Sequence, residues 1–133
     1  MTSRHRRSAV AALAIALLAL SGCHREKQSG PLYILLTFNG GACEQNGSTG
    51  VIDVFQNQAV IYEGAASLAE FEVQFPACPF GSCPVSSPHG TSVNIGQPSA
   101  GTVGTTFKYS GMTINDERCE NASQMGVRVR SGP

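Results

Sequence analysis

An all-β fold, built as a small disulfide-stapled β-sandwich, is predicted by three observations. Apolar residues recur at period two in short segments bounded by Gly, Pro and Asn, the spacing that sets one face of a strand on a core and the other in water. No amphipathic helix of useful length interrupts these segments. Four cysteines lie among them, an even number that suits two disulfides in a small exported domain. Seven or eight short strands punctuated in this way fit a sandwich, with a small β-barrel as the alternative.

Residues 32–38 form a compact run with aromatic and branched members, expected as a fully or mostly buried strand. Asn39-Gly40-Gly41 ends it, and residues 46–50 make a second loop. Residues 51–55 and 59–62 are the next two strands, and Gln56-Asn57-Gln58 between them is short enough for a hairpin. A single helical turn is expected around 65–68. In residues 69–75, Ala69, Phe71, Val73 and Phe75 alternate with Glu70, Glu72 and Gln74, the pattern of a strand with one buried and one wet face. Pro76 stops it. Residues 76–90 hold Pro76, Pro79, Pro84 and Pro88 with Gly and Ser between them, so no regular structure is expected there. Val93 and Ile95 mark a short strand, and Val103, Thr105, Phe107 and Tyr109 alternate in another. Gly111 turns the chain into 112–114, and 127–130 closes the fold. No internal repeat is present.

The N-terminus stands outside this pattern. Arg4, Arg6 and Arg7 give a basic start, and residues 9–20 are an unbroken apolar run of twelve. A spanning helix needs about 20 such residues, so the run has the length of a signal-peptide core. It ends in Leu20-Ser21-Gly22-Cys23. In these residues the chain resembles bacterial lipoproteins, whose lipobox is a Leu, two small residues and a Cys. The resemblance implies that residues 1–22 are removed and that Cys23 carries a diacylglyceryl group on sulfur and an acyl chain on its new amine. Several acyl chains anchor a protein stably where one is marginal. An Asp after the Cys tends to retain family members at the inner membrane. His24 stands there instead, which implies an outer-membrane anchor facing the periplasm. Residues 23–31 are then a lipidated polar tether that keeps a single β-domain, residues 32–133, near the bilayer.

Charge and composition narrow the classes of function. The 133 residues carry 9 Lys+Arg and 9 Asp+Glu, without the clustered basic excess of a nucleic-acid footprint. With 41% hydrophobic and 14% charged residues the chain is not of the disordered type. Removing residues 1–22 takes three arginines with it, so the mature chain is acidic by about three charges. A domain of this size buries about two-thirds of its unfolded surface, and disulfides would help it.

Cys43, Cys78, Cys83 and Cys119 allow three disulfide connectivities. We favour Cys78–Cys83 as a local clamp on the Pro-rich segment and Cys43–Cys119 as a long-range tie. All four are expected in loops. Catalytic thiol exchange uses Cys-x-x-Cys, whereas four residues separate Cys78 from Cys83. Structural zinc needs two close Cys pairs or a Cys/His combination, and only one close Cys pair exists.

The sandwich is expected to be immunoglobulin-like or cupredoxin-like, so copper needs testing. A blue-copper site uses two His, a Cys thiolate and an axial Met. Residues 119–125 space Cys119 and Met125 suitably but hold no His between them, so no metal is expected. His89 sits in a Pro-His-Gly turn, where a lone His is ordinarily solvated, and no Gly-x-Ser-x-Gly nucleophile motif accompanies it. Glu70 and Glu72 lie roughly 7 Å apart on one strand face, a separation that glycosidases use. Catalysis would need them buried, and the alternation sets them on the wet side. Asn46-Gly47-Ser48 and Asn121-Ala122-Ser123 match glycosylation acceptors, which act only in a eukaryotic secretory route. Gly40-Gly41 opens no helix and so cradles no phosphate.

No catalytic residue and no cofactor is therefore assigned. The expected function is a non-enzymatic, lipid-anchored envelope module, either structural or binding an envelope protein or glycan, with the membrane as its first partner and no nucleic acid. Its candidate binding loop is 76–88, with His89 beside it and Phe80 either presented at the tip or folded back onto the core, because loops on a rigid sandwich carry most recognition. A metal-handling or redox accessory protein of the envelope and a small hydrolase are the alternatives.

Overall fold

The computed structural model describes residues 30–65 and 69–132. The expected leader, the expected lipid-bearing Cys23 and most of the expected 65–68 helical turn lie outside the described residues. The fold is all-β, with eleven strands and one short 3-10 turn at Ala122–Gln124 among the described residues. The strands are β1 (Leu32–Asn39), β2 (Ala42–Gln45), β3 (Val51–Phe55), β4 (Val60–Gly64), β5 (Phe71–Gln74), β6 (Val85–Ser87), β7 (Val93–Gly96), β8 (Thr106–Lys108), β9 (Gly111–Ile114), β10 (Glu117–Arg118) and β11 (Gly126–Arg130). They make three sheets: sheet I in the order β2-β1-β4-β7, sheet II in the order β10-β9-β5-β6, and sheet III in the order β3-β11-β8.

Period-two alternation builds one core from all three sheets. Ile34 and Leu36 of β1, Val60 and Tyr62 of β4, Phe71 and Val73 of β5, Met112 and Ile114 of β9, and Val127 and Val129 of β11 are all buried. The register expected for 69–75 is the observed one, with Glu70 exposed and Glu72 half-buried on the other face. β1 departs from expectation. Its apolar run is not buried on both faces, because β1 forms the middle of a sheet with only one face on the core. Tyr33 and Leu35 therefore stand outside at 50% and 37% exposure.

The hairpin expected between β3 and β4 does not form. β3 pairs parallel with β11, and β4 pairs parallel with β1 in another sheet. The interval 56–58 is instead a crossover. Gln56 N–H donates to the Arg130 carbonyl and continues the β3–β11 ladder, whereas Leu32 N–H donates to the Ala59 carbonyl and opens the β1–β4 ladder. Each strand's main chain is thus taken by a partner distant in sequence.

Two tight hairpins do form where both turn residues reach the left-handed region. Gly40 and Gly41, at φ 63° and 97°, join β1 to β2, and Asn115 and Asp116, at φ 51° and 64°, join β9 to β10. β2 therefore places Cys43 in a strand rather than in the expected loop. The Pro-rich stretch is also not wholly irregular, since β6 adds to the edge of sheet II against β5. An edge strand can follow Pro84 without losing a needed ladder donor. Conversely, the strand expected from Val103 to Tyr109 shrinks to β8. Gly101 and Gly104 turn the chain at φ 82° and 87° and leave Val103 exposed.

The disulfides are Cys43–Cys119 and Cys78–Cys83. The first spans 76 positions and ties β2 of sheet I to the end of β10 in sheet II; the second closes a loop of 5. Loop-closure entropy makes the first worth about 4.5 kcal/mol and the second about 2 kcal/mol.

Candidate functional site

Two shallow grooves follow the outer face of sheet II. The larger, about 340 Å³, runs over β5, β9 and β10 to the 3-10 turn, and is lined by Glu72, Gln74, Thr113, Arg118, Glu120 and Ser123 among others. Strand register explains this set. Glu72 lies opposite Thr113, Gln74 opposite Gly111, and Arg118 opposite Thr113 on its other side. The smaller groove, about 150 Å³, takes in Glu70, Glu72, Ser86 and Asp116. Glu70, just before β5, and Glu72 within it therefore do share a groove, as their spacing suggested. Glu72 accepts a hydrogen bond from Gln74 Nε2 at 2.7 Å in an exposed setting.

The remaining sequence candidates separate in space. Phe80 does not project from its loop and instead folds back onto the core. It is 3% exposed and packs edge-on against Phe75 with ring centroids 6.0 Å apart. The Cys78–Cys83 bridge folds the loop back so that the ring joins the core. His89 is exposed in the turn after β6. The four cysteines are consumed in disulfides, and among the described residues no three His, Cys, Asp or Glu side chains converge as a metal-ligating group. Both glycosylation-like asparagines spend their side chains on main chain. Asn46 Oδ1 accepts from Leu35 N–H and its Nδ2 donates to the Tyr33 carbonyl. Asn121 brackets Cys43 in the same way. Each amide stands in for a missing stretch of strand.

Two features escaped the sequence. The first is a buried polar chain at the junction of the sheets. Tyr109 donates its hydroxyl hydrogen to Gln45 Oε1, and Gln45 Nε2 donates to the carbonyls of Gly50 and Gly126 at 2.9 and 2.7 Å. Burial pushes the phenols of both Tyr62 and Tyr109 well above the ordinary value, so neither ionises near neutrality. The second is a basic face on sheet III. Arg128 and Arg130 alternate outward from Val127 and Val129, and Lys108 and Thr106 of β8 share that side by register. The Arg128–Val129–Arg130 alternation is visible in the sequence, but its union with Lys108 depends on the pairing of β8 with β11.

No protein-family model matches the chain, and no curated protein does. Among solved structures the chain is similar to the copper protein rusticyanin, with 13% identity over 79% of this chain and 80% of that one, at a TM-score of 0.37. It is also similar to a rusticyanin variant with one histidine replaced by methionine, at 11% identity over 77% of this chain and 80% of that one and a TM-score of 0.36.

Proposed function

We propose that the protein is a lipid-anchored, non-enzymatic module of the bacterial cell envelope that works by presenting surfaces rather than by catalysis. One observation carries the reading: a basic start, a twelve-residue apolar run and Leu20-Ser21-Gly22-Cys23 lead directly into a disulfide-bonded β-domain. The leader directs export and the lipobox anchors, while the paired cysteines suit an oxidising compartment. The grooves of sheet II are half-open and mix polar with apolar lining, Glu72, Gln74 and Arg118 beside Met112 and Ala122 in the larger, which suits contact with an envelope protein or glycan. An outer-membrane address, facing the periplasm, follows from His24 after the anchor Cys.

The experiment is fatty-acid labelling of the full chain beside Cys23→Ala in a bacterial host. Label on the parent and none on the variant, with the precursor left uncut, is the expected result. Equal labelling of both would overturn the proposal.

A further inference from the structure

We infer that the outer face of sheet III is a docking surface for the anionic phosphate headgroups of the bilayer that holds the tether. This inference rests on the lipid-anchor reading above. The described domain has four basic side chains against eight acidic ones, yet Lys108, Arg128 and Arg130 all lie on one face. Register lays that face out as a grid: Phe55 beside Arg130, Asp53 beside Arg128 beside Thr106, and Val51 beside Gly126 beside Lys108. Asp53 is the lone acid there, and it lies 3.6 Å from Arg130. Glu70, Glu72, Asp116, Glu117 and Glu120 all belong to sheet II or its flanks. A domain that is acidic overall is thus basic on one sheet.

The tether begins at the same end of that sheet. Gly30, the first described residue, accepts a hydrogen bond from Gln58 Nε2 at 2.8 Å. Gln58 belongs to the 56–58 turn, whose Gln56 N–H donates to the Arg130 carbonyl. The chain therefore enters the domain beside the Arg130 end of β11. Between the anchor Cys23 and Gly30 there are seven steps of chain, a reach of at most about 25 Å. That is shorter than a domain of this size is wide, about 33 Å for a compact sphere whose radius of gyration is about 13 Å. Arg25 and Lys27, with Glu26 between them, leave that short segment one charge positive. Held so near, the domain meets the surface intramolecularly, so weak contacts suffice. Arginines near an anionic leaflet each favour the docked state. A groove of about 410 Å³ beside Thr106, Arg128 and Arg130 offers room for headgroup phosphates.

The chain has no Trp, so one introduced indole reports its own surroundings. Val103→Trp places it at the rim of the basic groove, where Val103 is exposed, and Leu35→Trp places it on the outer face of sheet I. The mature, acylated protein carrying either probe is reconstituted into vesicles of phosphatidylcholine with about one-third phosphatidylglycerol, using brominated acyl chains as quencher. Acylation is read separately by intact mass. The expected result is quenching of the probe at 103, little at 35, and loss of the difference in pure phosphatidylcholine. Arg128→Gln/Arg130→Gln should lower the docked-to-undocked ratio roughly thirtyfold, and Arg128→Glu/Arg130→Glu should lower it further. Equal quenching at both positions, quenching at 35 alone, or a blue shift at 103 without quenching (a protein partner on that face) would each overturn the inference while leaving the anchor intact. An unacylated product would remove the anchor and the docking together.

Discussion

The hydroxyl of Tyr62 lies 2.9 Å from the hydroxyl of Tyr109, and both side chains are completely buried. The direction of this bond is determined by its neighbours. Tyr109 has one hydroxyl hydrogen and gives it to Gln45 Oε1, so Tyr62 must be the donor and Tyr109 the acceptor. The chain runs from Tyr62 through Tyr109 to Gln45 and on to the Gly50 and Gly126 carbonyls. It joins β4 and β2 of sheet I to β11 of sheet III. Phe75 packs edge-on against Tyr109 at 5.0 Å and brings in sheet II.

Polarity along this chain makes the two tyrosines unequal. Tyr109→Phe strands both the Tyr62 hydroxyl hydrogen and Gln45 Oε1, a cost of about 2–4 kcal/mol from two unsatisfied buried groups. Tyr62→Phe removes only a terminal donor, and should cost about 1 kcal/mol. Adding Tyr62→Phe to Tyr109→Phe removes one of the two stranded groups, so the double variant should be no less stable than Tyr109→Phe alone. Urea melts of the four proteins measure this. Additive costs would show that the hydroxyls do not communicate.

The same burial predicts sensitivity to alkali. Both phenols are held above the ordinary tyrosine value of 10.0, chiefly by desolvation. Above pH 10 the unfolded chain releases protons that the folded chain keeps, so the unfolded state binds fewer protons and stability falls as pH rises. This stabilisation is fully present below pH 10. Each tyrosine adds up to about 1.4 kcal/mol of loss per pH unit above that point. Tyr62→Phe should roughly halve the slope of unfolding free energy between pH 10 and 11, read from denaturant midpoints at each pH.

Strand 69–75 tests the register on which the reading of sheet II depends. Phe71 and Val73 are buried at 3% and 0% exposure, with Glu72 facing the groove. Phe71→Ala should cost about 3–5 kcal/mol, a large part of a small domain's stability. Glu72→Gln should stay within about 0.5 kcal/mol. Reversed costs would mean a slip of one residue, which exchanges the two faces of a strand.

These results separate what local pattern reveals from what pairing decides. Alternation at 69–75 is a local signal, and it gave the correct face for every residue from Ala69 to Gln74. The partner of a strand is not local. β3 had the expected bounds and β4 fell within two residues of them, yet both pair with strands distant in sequence. β2 was illegible for a different reason. Ala42-Cys43-Glu44-Gln45 has little strand propensity, and the segment is held by the Gly40-Gly41 turn and the Cys43–Cys119 bridge. β6 was hidden by Pro84, whose missing donor is harmless only because β6 lies at an edge. The Tyr62–Tyr109–Gln45 chain spans residues 47 and 64 positions apart, and no spacing rule joins them. The basic face was half legible, since Arg128 and Arg130 alternate in plain view while Lys108 arrives by register.

Gly126 marks the tightest backbone approach near that junction, and it gives the sharpest test of sheet III. It opens β11 opposite Lys108, and it is buried. A Cβ placed there would collide with the Phe107 carbonyl oxygen and come within 2.8 Å of Lys108 Cα. Both obstacles are main chain, so no side-chain rotation relieves them. Gly126→Ala must either push β8 away from β11 or shift the Gly126 carbonyl that receives Gln45 Nε2 at 2.7 Å. The first outcome loosens an edge strand, and the second disturbs the polar chain that joins the sheets. Overpacking of this kind costs about 1–3 kcal/mol, and the upper end is expected because backbone has to move. Gly81→Ala is the control, since nothing lies within 4 Å of a Cβ there. It should change stability by less than about 0.5 kcal/mol. Hydrogen exchange then distinguishes the two routes: faster exchange confined to the β8 amides indicates loosening of the edge, and exchange that also rises around Gln45 indicates a broken junction. If Gly126→Ala melts with the parent protein, β8 does not lie against β11 in the register described.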